Sequence, residues 1–129
     1  MDLRDNSNQG FGAYLTNGRV CSFVDDNGVG DQITTTGSYN DNLWHSLFIC
    51  ISKSGATQLH QIYVDGSLAL SGTTNLFTNT SVNPRIGTNF NASGNFYVGS
   101  IKFPFWWRIS LTPTQVKWQH ETLFKQINL

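Results

Sequence analysis

Residues 44–66 place the strongest constraint on the fold of this chain. The run 44–51 is rich in aromatic and β-branched residues, which fit the pleated surface of a strand better than a helix. Turn residues at 53–56 interrupt this run, and a second apolar run, 59–64, ends at the tight-turn dipeptide Asp65-Gly66. Two strands joined by a short polar loop predict a long antiparallel hairpin.

The first strand of this hairpin is apolar on both faces after Ser46. A strand with one solvated face alternates between apolar and polar residues. Two explanations remain open. The favoured one is a central strand covered on both sides by its own chain, and the other is a strand with one face buried by another subunit. One parity carries Trp44, Ser46, Phe48 and Cys50, and the other carries His45, Leu47, Ile49 and Ile51.

Further strands are predicted on both sides of the central hairpin. Residues 11–15 and 20–24 flank Asn17-Gly18, a dipeptide that tolerates the positive φ angles of a two-residue turn. Residues 25–31 are expected to form a loop and 73–84 a polar loop or weak edge strand. Strands are predicted at 32–36, 67–72 and 96–107, the last interrupted by Pro104 at an edge or bulge.

A single helix is predicted near the C-terminal end of the sequence. Thr112 can cap its free amides, Pro113 suits the first helical position, and Gln115 can reach back to complete a capping box. An apolar stripe follows at spacings of three and four residues, and we expect the helix to end near Phe124.

The order and spacing of several motifs resemble the laminin-G-like, concanavalin A-like lectin domains over about residues 10–120. The resemblance implies an all-β fold: an antiparallel jelly-roll β-sandwich with one short C-terminal helix. The motifs are Asn40-Asp41-Asn42-Leu43-Trp44-His45, Ile62-Tyr63-Val64-Asp65-Gly66, Arg85-Ile86-Gly87, Val98-Gly99-Ser100-Ile101 and Leu111-Thr112-Pro113-Thr114-Gln115-Val116.

The same resemblance predicts one domain, residues 1–129, that is incomplete at its N-terminal edge. Domains of this family open with two further strands, and the sequence shows no counterpart before about Gly10. A sheet edge with free amides and carbonyls is a template for association. We therefore expect another chain, or an upstream segment, to cover residues 11–15; the alternative is that residues 123–129 fold back onto this edge.

Charge and hydropathy exclude several classes of partner. Positive and negative residues cancel to a formal net charge of +0, and only 12% of residues are charged, so no basic footprint for nucleic acid is present. No apolar run is long enough to cross a bilayer. The polar opening Met1-Asp2-Leu3-Arg4-Asp5 is unlike a signal peptide, and we expect a place on a virion surface or outside the cell.

Cys21 and Cys50 are expected to be two free, buried thiols rather than a disulfide.

The sequence predicts a protein that is not an enzyme. The resemblance extends to glycoside hydrolases, which use two carboxylates that face each other across the sugar. The chain has a single Glu, Glu121, in the predicted helix, and its Asp residues fall at turns. No nucleophile elbow, phosphate loop or zinc motif is present.

Calcium is the one cofactor that the pattern suggests. Laminin-G-like domains often hold Ca²⁺ at one rim, and Asp25, Asp26, Asn27 and Asp31 offer the oxygen ligands that this ion prefers. The same residues are also ordinary turn formers, and the turn interpretation is favoured.

Aromatic residues are the best candidates for binding. By resemblance Trp106 takes a buried position, which leaves Phe105 and Trp107 on the outer side. Flat rings stack on sugars and also anchor protein interfaces, and packing in the core remains the alternative. Tyr39 is a weaker candidate for sugar.

We therefore expect a non-catalytic binding and assembly module. In the first hypothesis it is a structural surface component of a larger particle, such as a phage capsid-decoration or tail protein, held by other protein chains in a homo- or hetero-oligomer. In the alternative it is a carbohydrate-binding adhesion domain, with glycans as partners. The fold serves both roles and does not decide between them.

Overall fold

The computed structural model consists of two antiparallel sheets and one helix. It describes residues 2–4, 10–26, 29–75, 86, 97–102, 104–105, 107 and 109–127. The first sheet has the order β1-β2-β3-β4 and the second the order β5-β6-β7. The elements are β1 (Asp2–Arg4), β2 (Gly10–Thr16), β3 (Arg19–Asp26), β4 (Val29–Thr34), β5 (Leu47–Ser54), β6 (Thr57–Val64), β7 (Ser67–Asn75) and α1 (Pro113–Ile127).

Tight turns set the register of the hairpins. Asn17 and Gly18 have φ angles of 50° and 77°, and Thr16 pairs with Arg19 across them. Asp65 and Gly66 have φ angles of 51° and 75° between β6 and β7. These left-handed conformations favour Asn, Asp and Gly, so the predicted turns are confirmed.

The second sheet has apolar side chains on both of its faces. One face meets the first sheet, and the cluster between the two sheets contains Val20, Ile62 and Val64. The opposite face is covered by α1 and the residues before it, in the cluster Phe48, Cys50, Tyr63, Leu111 and Val116. The fold is therefore a β-sandwich with a helix layered on the outer face of one sheet.

This arrangement answers the question raised by strand β5. Phe48 and Cys50 lie under the helix layer, while Ile49 packs into the cluster between the sheets. The chain thus covers both faces of the strand itself. Among the described strands β6 lies in the middle of this sheet and β5 at one side of it, so the predicted central position of β5 is not observed there.

Strand β4 of the first sheet lies beside β7 of the second sheet. A Cβ added to Gly72 would lie 2.8 Å from Cγ2 of Ile33, so glycine permits the close approach. Asp31 joins the same two strands, since its Oδ2 accepts a hydrogen bond of 3.2 Å from the N–H of Asn75.

Helix α1 begins as the sequence predicted. The side chain of Gln115 accepts a hydrogen bond of 2.8 Å from the N–H of Thr112, and the Thr112 hydroxyl accepts one of 3.3 Å from the N–H of Gln115. This reciprocal pair is a capping box. Val116 faces the core and is fully buried. The helix continues to Ile127, beyond the predicted end near Phe124.

Several predicted boundaries were wrong. Residues 2–4 form β1, which pairs with Gly10–Gly12, whereas no strand was expected there. Residues 25–31 were expected to be a loop, but β3 and β4 pair as far as Asp26 and Val29. Residues 44–46 precede β5 instead of belonging to it, and β7 extends to Asn75. Residues 123–127 are helical, so they do not add a strand to the first sheet.

The long strand predicted at 96–107 is also not observed. The described residues of this stretch, 97–102, 104–105 and 107, have no regular secondary structure. Proline at position 104 and a glycine at 99 with a φ of 155° both weaken a strand here. No helix among the described residues is long and apolar enough to span a bilayer.

Candidate binding surface

Three aromatic rings form a row from the core to the surface. Phe48 is buried, and its ring centroid lies 6.1 Å from that of Trp107. Trp107 is half-buried and packs on the cluster beneath the helix. Phe105 lies 5.8 Å beyond Trp107 and is 52% exposed. Both rings named by the sequence are therefore adjacent, with Phe105 as the exposed end of a row that is anchored in the core.

A second aromatic contact joins Trp44, just before β5, to Lys102. The Nζ of Lys102 lies 4.9 Å from the centroid of the Trp44 ring, which is a cation–π geometry. Trp44 is 39% exposed and Leu47 is 44% exposed. Lys102 and Trp107 thus lie beside Trp44 and Phe48, and the rings of Trp44 and Phe105 are exposed to solvent. We call Trp44, Lys102, Phe105 and Trp107 the aromatic face.

Tyr39, the third predicted ligand residue, is half-buried at a different place. Its ring packs against the cluster between the sheets and meets the His45 ring edge-on, with centroids 5.5 Å apart. Its N–H donates to the carbonyl of Gly18 at 2.8 Å. Tyr39 therefore supports the loop before β5.

His45 joins two carboxylates at this rim of the sandwich. Its Nδ1 lies 2.7 Å from Oδ2 of Asp65, and its Nε2 lies 3.0 Å from Oδ1 of Asp41. Asp65 also accepts a hydrogen bond of 3.0 Å from the N–H of Ser46, and Asp41 accepts one of 3.0 Å from the N–H of Leu43. We call Asp41, His45 and Asp65 the rim clamp.

Electrostatics favour a protonated imidazole in the rim clamp. The hydrogen bond to Asp65 is the main reason that the pKa of His45 is raised; burial opposes it, and the bond to Asp41 adds a smaller upward effect. The Leu43 amide, followed by the His45 side chain, lowers the pKa of Asp41. The clamp therefore holds the 41–46 loop against the β6–β7 turn and so sets the position of Trp44.

The helix is docked beside this clamp. Nδ1 of His120 lies 2.8 Å from the hydroxyl of Ser46, and the His120 ring lies over Gly66. A Cβ at Gly66 would lie 2.9 Å from Cδ2 of His120. The Asp65-Gly66 turn therefore positions both the rim clamp and the helix.

A third histidine lies inside the sandwich. His60 is fully buried, with its Nδ1 2.6 Å from the Ser22 hydroxyl and its Nε2 2.8 Å from the Thr74 hydroxyl. In a neutral ring one nitrogen donates to a hydroxyl and the other accepts from one. Burial lowers the pKa of His60 to about 4, so the ring is neutral at physiological pH. This group of side chains links β3, β6 and β7.

The described residues among the calcium candidates are not arranged as a set of ligands around one point. Asp25 pairs with Gly30 in the β3–β4 ladder. Asp31 accepts hydrogen bonds from the amides of Gln32, at 2.9 Å, and of Asn75. The Asp26 side chain and all of Asn27 lie outside the described residues. Within the described part of the chain no group of three His, Cys, Asp or Glu residues is arranged to hold a metal ion.

Both cysteines are free and buried, as predicted. The Sγ of Cys21 donates to Oε1 of Gln32 at 3.4 Å. Cys50 lies beneath the helix layer, where burial raises the pKa of its thiol. Both thiols serve as small core residues.

Sequence reasoning missed the rim clamp and the cation–π pair. From the sequence, Asp41 and Asp65 were placed only at turns and His45 only in the 44–51 strand. One signal was available in the sequence. His45 comes just before β5, and Asp65 comes just after β6, the strand that pairs with β5. Trp106, which was expected in the core, lies outside the described residues.

Comparison with known proteins identifies the class and then the family. An antiparallel sandwich of this kind is consistent with the concanavalin A-like fold. A family model described as the concanavalin A-like lectin/glucanases superfamily (Laminin_G_3) matches residues 1–117, and the chain belongs to this family. A comparison with curated proteins finds no match.

One solved structure is similar at low identity. It is a crystal structure of an S-layer domain-containing protein (residues 221–444) from Clostridium thermocellum ATCC 27405. The TM-score is 0.48 and the sequence identity is 15%, with 91% of this chain and 59% of that chain covered. The chain therefore spans less than two thirds of its structural neighbour.

Proposed function

We propose that this chain is a non-catalytic binding and assembly module that docks onto other protein chains through the aromatic face. In the specific form of this proposal it is a structural surface component of a larger particle, such as a phage capsid-decoration or tail protein. It would then work on a virion surface or outside the cell.

The exposed ring of Phe105, at the outer end of the aromatic row, is the main support for this proposal. Phe105 is 52% exposed, yet its ring rests on Trp107, which packs on the core through Phe48. Rigid exposed rings lose little conformational entropy on binding, and such residues dominate the energy of protein interfaces. The formal net charge of +0 adds no long-range repulsion between copies.

The carboxylates of the described residues support a role without catalysis. Glycoside hydrolysis needs two carboxylates on opposite sides of the substrate. Asp41 and Asp65 both bind the same His45 ring. Glu121 lies on the helix, 4.0 Å from Lys117, and its side chain is 53% exposed.

Self-association of the purified chain tests this proposal. We expect oligomers by light scattering on a sizing column, and we expect Phe105→Ser to abolish them without lowering the melting temperature. Leu68→Ser on β7 is the matched control, because Leu68 is 51% exposed and lies outside the aromatic face. A monomeric wild-type protein, or equal oligomers in both variants, would argue against docking through this face.

A carbohydrate-binding adhesion module is the second candidate, and the rim clamp favours it. Two carboxylates are fixed there by His45, whose ring contacts the half-buried Tyr39 ring and whose neighbour in the sequence is the exposed Trp44. Sugar sites combine an aromatic face with a few fixed polar groups. A glycan array supports this candidate if a monomer binds specific sugars and Trp44→Ala abolishes the binding. Trp118→Ala, at a 60% exposed ring on the helix, is the control.

A further inference from the structure

The rim clamp can keep both of its hydrogen bonds in only one protonation state. A neutral imidazole has one N–H donor and one acceptor, whereas a protonated imidazole has two donors. Both ring nitrogens of His45 face carboxylate oxygens, since Nδ1 lies 2.7 Å from Asp65 and Nε2 lies 3.0 Å from Asp41. Ionised carboxylates only accept hydrogen bonds, so the complete clamp requires the protonated ring. When the ring loses a proton, one carboxylate is left facing a lone pair.

The bond to Asp41 is the one that is lost. Asp65 lies at the shorter distance, and it is fixed twice more by Ser46. Its Oδ1 accepts from the N–H of Ser46, and its own N–H donates to the Ser46 carbonyl, both at 3.0 Å. Asp41 lies at the longer distance, and its side chain is 48% exposed, so it can turn into water. The proton that stays on the ring therefore stays on Nδ1, between His45 and Asp65.

The bond to Asp41 also holds the segment that contains Trp44. Asp41 and His45 stand four positions apart, with Trp44 between them. The other printed bond of the Asp41 side chain, from the N–H of Leu43, lies inside the same segment and does not attach it to the rest of the sandwich. The Trp44 ring is 39% exposed and contacts Lys102, but a cation–π contact at an exposed ring is weak. The position of the ring therefore depends on the closed clamp.

His45 titrates in a pH range where carboxylates and lysines keep their charge. The bond to Asp65 raises its pKa above the ordinary value of 6.5, so the ring is protonated below that value and loses its proton as the pH rises through the raised pKa. His60 stays neutral across this range because burial lowers its pKa to about 4. Among the described residues, the titratable and charged groups that face this ring or the segment beside it are Asp41, Asp65, Tyr39, His120 and Lys102.

We propose that the rim clamp is a pH-dependent gate on the aromatic face. With His45 protonated, the clamp is complete and Trp44 is held beside Lys102 in the docking surface. With His45 neutral, the bond to Asp41 is lost, the 41–46 loop loosens, and docking weakens. The effect on docking rests on the function proposed above, whereas the movement of Trp44 does not depend on it.

The indole N–H resonance of Trp44 tests the gate in the full chain. In ¹⁵N-labelled protein, with the resonance assigned by Trp44→Phe, we expect it to shift with the same midpoint as the imidazole of His45. His45→Gln should remove this shift. His120→Gln is the matched control and should retain it, because His120 contacts Ser46 and not the His45 ring. A resonance that stays constant across the His45 titration, or that follows His120, would overturn the gate.

Asp41→Asn separates movement of the loop from simple sensing of charge. An amide can donate to a neutral ring nitrogen and can also accept from a protonated one. His45 should therefore still titrate in Asp41→Asn, while the loop stays closed and the Trp44 resonance no longer follows. A full shift of the Trp44 resonance in this variant would show that the indole only senses the nearby charge, and the gate would be refuted.

Self-association should follow the same titration. By light scattering, we expect the dissociation constant of the oligomer to rise by up to about fivefold between about pH 6 and pH 9, as for the loss of one exposed charged pair. Asp41→Asn should show no such rise. A dissociation constant that is independent of pH in the wild type would contradict the gating of docking. Absence of oligomers at every pH would count against the docking function itself, and the Trp44 resonance would still decide whether the gate exists.

Discussion

At the scale of single residues, the three histidines occupy three different environments. His45 bridges two carboxylates at the rim, and His60 is enclosed between two hydroxyls inside the sandwich. His120 lies on the helix against Ser46. Because the surroundings differ, the same side chain is stabilised in its charged form at the rim and in its neutral form in the interior.

We predict that Asp65 has a larger influence on His45 than Asp41 does. The pKa of His45 is raised first by its bond to Asp65, which is also the shorter one at 2.7 Å against 3.0 Å. A proton NMR titration of the imidazole should therefore show a larger drop in pKa for Asp65→Asn than for Asp41→Asn. The reverse order would mean that the geometry of the rim clamp is wrong.

The rim clamp also gives stability a pH dependence of known sign. A histidine whose pKa is raised in the folded state contributes stability that is complete below the ordinary value of 6.5. This stability is lost as the pH rises through the folded pKa. The clamp is partly exposed, so the effect on the melting temperature is small and should be absent in His45→Gln.

At the scale of elements, we predict unequal costs for two glycine substitutions. Gly55→Ala forces a residue with a side chain into a φ of 62°, with open space around the new Cβ, and costs about 1–2 kcal/mol. Gly66→Ala adds a clash with His120 at 2.9 Å to a similar strain at a φ of 75°. Urea unfolding should show the larger loss at Gly66. Equal losses would show that the helix is not docked on this turn.

Local signals made most of the elements predictable from the sequence. Asn17-Gly18 and Asp65-Gly66 fix their turns because few residues tolerate positive φ angles, and Thr112 with Gln115 fixes the start of the helix. Strand β1 was missed because its three residues, Asp2, Leu3 and Arg4, are too few to show a periodic pattern. It is visible only through its pairing with β2.

The candidate site was less predictable because its contacts join distant parts of the chain. Phe105 and Trp107 could be named as candidates because they are close in sequence and aromatic. The rim clamp joins residues 41, 45 and 65, and the cation–π pair joins 44 and 102, so neither leaves a local spacing to recognise. Such contacts follow from sheet order and from the path of irregular segments, which propensity does not determine.

At the scale of the whole molecule, the buried His60 connects the two sheets. Ser22 lies on β3 of the first sheet, while His60 and Thr74 lie on β6 and β7 of the second. Buried polar groups that are fully paired favour one arrangement over its alternatives. The hydroxyl pair therefore helps to set how one sheet is placed on the other.

We predict that acid loosens the sandwich through this residue. The unfolded chain takes up a proton near pH 6.5, but the folded chain does so only near pH 4, so stability falls as the pH drops between these values. The melting temperature of the wild type should decline across this window, and His60→Gln should flatten the decline. An imidazole NMR titration with a midpoint near 6.5 would contradict the prediction.

The hydrogen bond between Ser46 and His120 spans 74 positions of the chain. During synthesis the strands of both sheets leave the ribosome before residues 113–127 do. Until the helix has formed, Val116 cannot cover Phe48 and Tyr63. Contacts over such separations form slowly because a long loop must close first. A nascent chain of this kind therefore passes through a stage in which the outer, apolar face of the β5-β6-β7 sheet is exposed. Chaperones or neighbouring chains on a polysome have access to this face before the helix does.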